Sequence, residues 1–143
     1  MHLATHSFVN EDRPQLSGIA FSQPIDSTAS DDGILYPDEI YNLDINADLV
    51  VLSSCESGVG KAVKGEGLLA LTRGFLYAGT SNIIASLWKV SDRQTSKLML
   101  QFYEQYLSGK RYSSALRDSK LAMIKDPFSA YPMFWAGFVL VGP

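Results

Sequence analysis

Leu49-Val-Val-Leu-Ser-Ser-Cys55 is the stretch that decides the fold: four apolar residues run without interruption, two serines follow, and the single cysteine of the chain closes the segment. Continuous apolar runs of this length mark strands buried on both faces of a parallel sheet. Chemistry in such folds sits just beyond the carboxyl ends of the strands, where side chains leave the sheet and meet solvent. Cys55 occupies such a position. A second apolar run, Met1-His-Leu-Ala-Thr-His6, ends on a histidine 49 residues upstream. Neighbouring strands lie about 4.8 Å apart. If these two are neighbours, His6 and Cys55 meet at hydrogen-bonding range, as a thiol and its base must.

A lone cysteine most often packs as a small hydrophobe, and a lone histidine is more often a satisfied polar residue than a catalyst. The pair is more informative, because a single cysteine with a histidine about 50 residues upstream is the spacing of caspase-type peptidases. Their local signature around the cysteine is absent.

Working outward, Leu16 to Ser22 reads as a short strand, and residues 24 to 33 as a loop rich in Ser, Thr, Asp and Gly. Tyr36-Pro37-Asp38-Glu39-Ile40 has proline and acids where a helix begins. Residues 57 to 66 are glycine-rich with little to bury. Both loops are expected to be mobile. Gly60-Lys61 does not have the spacing of a phosphate-binding loop. Leu68 to Ala78 reads as a helix burying Leu68, Leu71, Thr72 and Phe75, stopped by Gly79. Ile83 to Trp88 is a third apolar strand. Ser91-Asp-Arg-Gln94 has the pattern of a capping box, opening a helix to about Leu107 with Thr95, Leu98, Met99, Phe102 and Tyr106 on one face. Another helix starts at Ser113, carries Leu116, Ser119, Met123 and Ile124, and stops at Asp126-Pro127. Trp135 to Val141 is the last strand. Strands alternating with helices give an α/β layer fold.

The 143 residues, 46% hydrophobic and 19% charged, suit one domain spanning 1–143. A net charge of −3 offers no electrostatic footprint for nucleic acid. No run approaches the roughly 20 apolar residues that cross a bilayer, so no membrane partner is expected. One cysteine excludes an internal disulfide, and two histidines without Cys-x-x-Cys lack the vocabulary of a metal site. No cofactor is expected, and a reducing cytoplasm fits best. Because Met1 already lies inside the first apolar run, the chain reads as a piece of a larger protein.

The blocks His2-Leu-Ala-Thr-His6, Asp32-Gly-Ile-Leu35, Ala47 to Gly58, Gly65-Glu-Gly-Leu-Leu69, Phe75-Leu-Tyr-Ala-Gly79, Ala85 to Asp92, Phe102-Tyr103, Ala115-Leu-Arg117 and Trp135 to Gly142 resemble the CHAT domain. This family comprises caspase-like cysteine peptidases and their relatives, related to separase and commonly fused in bacteria to tetratricopeptide repeats. The resemblance implies a three-layer caspase-like α/β fold, with a mostly parallel sheet, an antiparallel last strand and the first two strands missing. It implies His6 as base, Cys55 as nucleophile, and the backbone N–H groups of Ser7 and Cys55 as an oxyanion hole. Ser7 stands where the family usually has glycine, and Ser57 where threonine is common. By analogy with caspase-like sites, Ser53, Trp88 and Asp92 are candidates for substrate binding. The implied function is cleavage of a protein substrate under control of partner or repeat domains; the alternative is an inactive module for protein interaction or signalling. Without the first strands, the His6 strand becomes an exposed sheet edge, so association between copies and little activity of the isolated piece are expected.

Overall fold

The computed structural model describes residues 1–10, 12–22, 32–53, 56–57 and 66–143. Cys55 and nearly all of the two glycine- and serine-rich loops, 24 to 33 and 57 to 66, lie outside the described residues. Two compact units emerge, Met1–Lys89 with Val141–Pro143, and Val90–Leu140.

The first unit holds two sheets. In the larger, β1 (His2–Leu3), β5 (Leu49–Leu52) and β7 (Asn82–Ser86) lie in that order and run parallel, with His2 opposite Val51, Leu3 opposite Leu52, and Val50 opposite Ile83. Every residue of β5 is buried, as the unbroken apolar run requires. Val50, Leu52, Ile83 and Ala85 pack with Leu68, Leu71 and Phe75 of α2 (Glu66–Tyr77) and Ile40 of α1 (Pro37–Ile40). Val51 and Ile84 alternate to the opposite face and are also fully buried. The predicted apolar face of α2 is correct at all four positions. Gly79 ends that helix at φ +105, with the Ile45 carbonyl so close that a Cβ would lie 2.7 Å from it. Gly142 adopts φ +150 against Ser81 and Asn82, so the end of the last strand, β8 (Phe138–Val141), arrives at the beginning of β7. That is the antiparallel sense, and the architecture is mixed α/β of caspase-like type.

Of the second sheet, only the strand expected within Leu16 to Ser22 is apparent from the sequence. The sheet consists of β4 (Ile34–Leu35), β3 (Gly18–Ala20), β2 (Ser7–Val9) and β6 (Glu56–Ser57), in that order. β3 is antiparallel to β2 and β4, and β2 is parallel to β6. The polar stretch after His6 therefore begins with a strand. Elements of two or three residues are too short to display alternation, and their pairing is non-local. The outward N–H groups of edge strand β4 are taken by its own flanking acids: Ile34 donates to Asp32 Oδ1 at 3.0 Å and Tyr36 to Glu39 Oε2 at 2.9 Å.

In the second unit α3 (Asp92–Leu107) and α4 (Tyr112–Lys125) pack on each other, joined by a turn in which Gly109 takes φ +94. Thr95, Leu98, Met99 and Phe102 are buried as expected, but Tyr106 is more than a third exposed and stacks on Phe102. Leu116, Ser119 and Met123 are buried; Ile124, expected among them, is 41% exposed. The capping box read at Ser91 is not formed, since Ser91 makes no side-chain cap and Gln94 turns its amide to the Phe128 carbonyl. Asp126 braces the loop after α4, accepting from Lys97, from Ser129 Oγ at 2.6 Å and from the Phe128 N–H at 3.3 Å.

Candidate active site

His6 does not end β1, which stops three residues earlier, at Leu3. It lies in the crossing from β1 to β2, with its side chain exposed. Its backbone is anchored, because the His6 carbonyl accepts the Ala20 N–H at 2.7 Å, and the hydroxyl of neighbouring Thr5 donates to the Ala20 carbonyl at 2.5 Å. A second connection between the two sheets follows β5. β5 leaves the large sheet after Leu52, and β6 enters the small sheet at Glu56. The two crossings are tied together at both ends: Leu3 pairs with Leu52 before them, and Phe8 with Glu56 after them. The Ser53 N–H extends the first ladder to the Leu3 carbonyl at 3.3 Å. His6 belongs to the first crossing, and Cys55 falls within the second by its place in the sequence.

Ser7 opens β2 and is buried, opposite Ile19. Hydrogen bonding in an antiparallel pair alternates from residue to residue. Since the His6 carbonyl bonds to Ala20, the main-chain groups of Ser7 turn to the other side of β2, where β6 lies.

Ser53, at the end of β5, is partly exposed, and its Oγ lies 2.9 Å from His2 Nε2. The register explains the contact: His2 faces Val51, and Ser53 follows Val51 by two residues on the same side of the strand. Burial, and secondarily the positive charge of the amino terminus, hold the His2 imidazole below its usual pKa of 6.5, so it is neutral at pH 7. His2 was not marked as a site residue from the sequence. Nothing in a single chain reveals a contact set by parallel register.

Trp88 is half-buried in the turn after β7, where its carbonyl accepts the Ser86 hydroxyl at 2.6 Å. Leu52 is opposite Ala85, which puts Ser53 and the Ser86–Trp88 turn at the ends of adjacent strands. Asp92 is the exposed first residue of α3, in the second unit. Among the described residues, no three His, Cys, Asp or Glu side chains are grouped to hold a metal ion, and no helix is long and apolar enough to cross a membrane.

A family model for the CHAT domain matches residues 1–143. The chain belongs to the CHAT domain family. Among its relatives are the tetratricopeptide repeat protein 28 of Mus musculus and that of Homo sapiens, each 34% identical over 104 residues, which is 73% of this chain. The chain spans only 4% of the length of either. Membership in this CHAT family makes the chain a relative of caspase-like peptidases.

Proposed function

We propose that this CHAT domain acts in a caspase-like cysteine endopeptidase, with Cys55 as nucleophile and His6 as its base. The supporting observation is the pair of strand pairings, Leu3–Leu52 and Phe8–Glu56, between which His6 and Cys55 each fall by their places in the sequence. A free thiol with a pKa near 8.5 is mostly protonated at pH 7, and a neighbouring imidazole raises the thiolate fraction by taking the proton. In the reaction, the Cys55 sulfur adds to the substrate carbonyl carbon, and the C=O pair moves onto oxygen. N–H groups of Ser7 and Cys55 stabilise the resulting oxyanion. The C–N bond then breaks while protonated His6 gives its proton to the departing amine. Water, deprotonated by His6, hydrolyses the thioester and regenerates the thiol. Ser53, Trp88 and Asp92 are the proposed contacts for substrate side chains, and the repeats of the parent chain are the proposed regulators.

The test uses the full-length protein that carries this chain and a diverse peptide pool analysed by mass spectrometry. Cys55→Ala and His6→Ala are each expected to lower cleavage on the order of 10⁴-fold, with the circular dichroism spectrum unchanged. Cleavage at the wild-type rate in Cys55→Ala would remove the proposal.

A further inference from the structure

We infer that Thr5 is a positioning residue for His6: its hydroxyl ends the β2–β3 ladder one residue short of the histidine and keeps the His6 imidazole outside the sheet. That this matters to catalysis rests on the reading of His6 as the base. Ser7 faces Ile19 and Phe8 faces Gly18, so the next pair in register is His6 with Ala20. Hydrogen-bonded and non-bonded pairs alternate along an antiparallel ladder, and in a bonded pair the two residues exchange both N–H···O bonds. His6 and Ala20 make only half of that exchange. The Ala20 N–H donates to the His6 carbonyl at 2.7 Å, but the Ala20 carbonyl takes the Thr5 hydroxyl at 2.5 Å, and the His6 N–H has no partner among the described residues.

The sequence sets up this exchange of donors. Leu3, Thr5 and Ser7 turn inward and line a small cavity with Ile19, Leu52 and Leu68, while Ala4 and His6 are exposed. Thr5 thus points among mostly apolar neighbours, at the place where the chain bends. A hydroxyl in such surroundings needs an acceptor, and the carbonyl it finds lies 15 residues on, in β3. Two consecutive residues therefore grip Ala20, Thr5 by its side chain and His6 by its main chain, which fixes the bend between them. A valine has the shape of threonine without the hydroxyl and suits a strand at least as well. With valine at position 5 the Ala20 carbonyl is open to the His6 N–H, the ladder gains a pair, and His6 is drawn onto the sheet.

The experiment uses the full-length protein with Thr5→Val and Thr5→Ser, and with Thr5→Ala in place of the valine variant should that one fail to fold. Hydrogen exchange read by fragmentation mass spectrometry follows the His6 N–H, and diethyl pyrocarbonate labelling mapped by peptide follows its imidazole. In Thr5→Val the His6 N–H should exchange about fivefold more slowly, as one added hydrogen bond requires, and His6 labelling should slow. Peptide cleavage should lose on the order of 10²-fold in kcat through displacement of the base, with KM and the shape of the pH profile unchanged. Thr5→Ser should match the wild type in every readout. A merely structural role would speed the exchange instead. Unchanged or faster exchange at His6 in Thr5→Val would overturn the inference, as would slower exchange with wild-type kcat; both results leave the peptidase reading intact. If no form cuts peptide, the wild type included, the peptidase reading fails while slower exchange and slower labelling of His6 still support the positioning role; unchanged labelling removes it as well.

Discussion

The carbonyl of His6 accepts the N–H of Ala20 at 2.7 Å, so the proposed base is tied by its main chain to the middle of a sheet while its imidazole stays exposed. Ala20→Pro removes that donor and places a proline in an interior strand. Denaturant unfolding should show a loss of about 3 kcal/mol. At permissive temperature, cleavage should fall further than in a stability-matched variant of the second unit. Equal losses in the two variants would mean that the anchor does not serve the site.

Gly67 lets the start of α2 approach β2, because a Cβ there would lie 2.4 Å from Val9 Cγ1 and 2.6 Å from Ser17 Oγ. Gly67→Ala must displace Val9, in the strand that follows His6. A destabilisation of about 1–3 kcal/mol is expected from such overpacking, measured by thermal and denaturant unfolding. Retention of wild-type stability would show that β2 yields freely.

The hydrogen bond from Lys97, followed by that from Ser129, holds the Asp126 carboxyl at about 2. Its folded pKa is below the unfolded value of about 3.9, so its contribution is complete above that value and lost as pH falls towards 2. The stability gap between wild type and Asp126→Asn should therefore narrow between about pH 4 and pH 2. A gap independent of pH over that window would show that the carboxylate charge is not what braces the loop.

Asp32 and Glu39 occupy the outward N–H groups of Ile34 and Tyr36 on the β4 edge. Removing both by Asp32→Ala and Glu39→Ala bares an edge that the native chain blunts with its own acids. Light scattering should detect concentration-dependent association stronger than that of the wild type. Unchanged mass over the same concentrations would count against this role.

Legibility in the sequence followed the length of each element. β5 and β7 are continuous apolar runs and α2 repeats its core residues at helical spacing, so each was readable from its own residues. β3 falls inside the run Leu16 to Ser22 that reads as a strand, whereas β2 and β4 were hidden because two or three residues carry no period, and each is stabilised by partners distant in the chain. Ile124 continues the helical spacing of α4, yet it is exposed, because spacing identifies a face but not how far the neighbouring surface extends over it. At the site, His6 was marked because it closes an apolar run, and Ser53 by analogy with caspase-like sites. The bond between His2 and Ser53 was not legible, since it depends on an offset between parallel strands that only the folded register supplies.

The doubly tied crossings make chain length matter unequally. Insertions between Ser22 and Asp32 lengthen the route from His6 to Cys55 without moving either tie, and a loop grows at little cost, about 0.6 kcal/mol per doubling. Removing one residue from 4–7 instead forces Leu3–Leu52 or Phe8–Glu56 out of step, and a one-residue slip reverses which side every following side chain faces. The 49-residue interval is thus an elastic quantity, and the fixed one is the number of residues between the two ties.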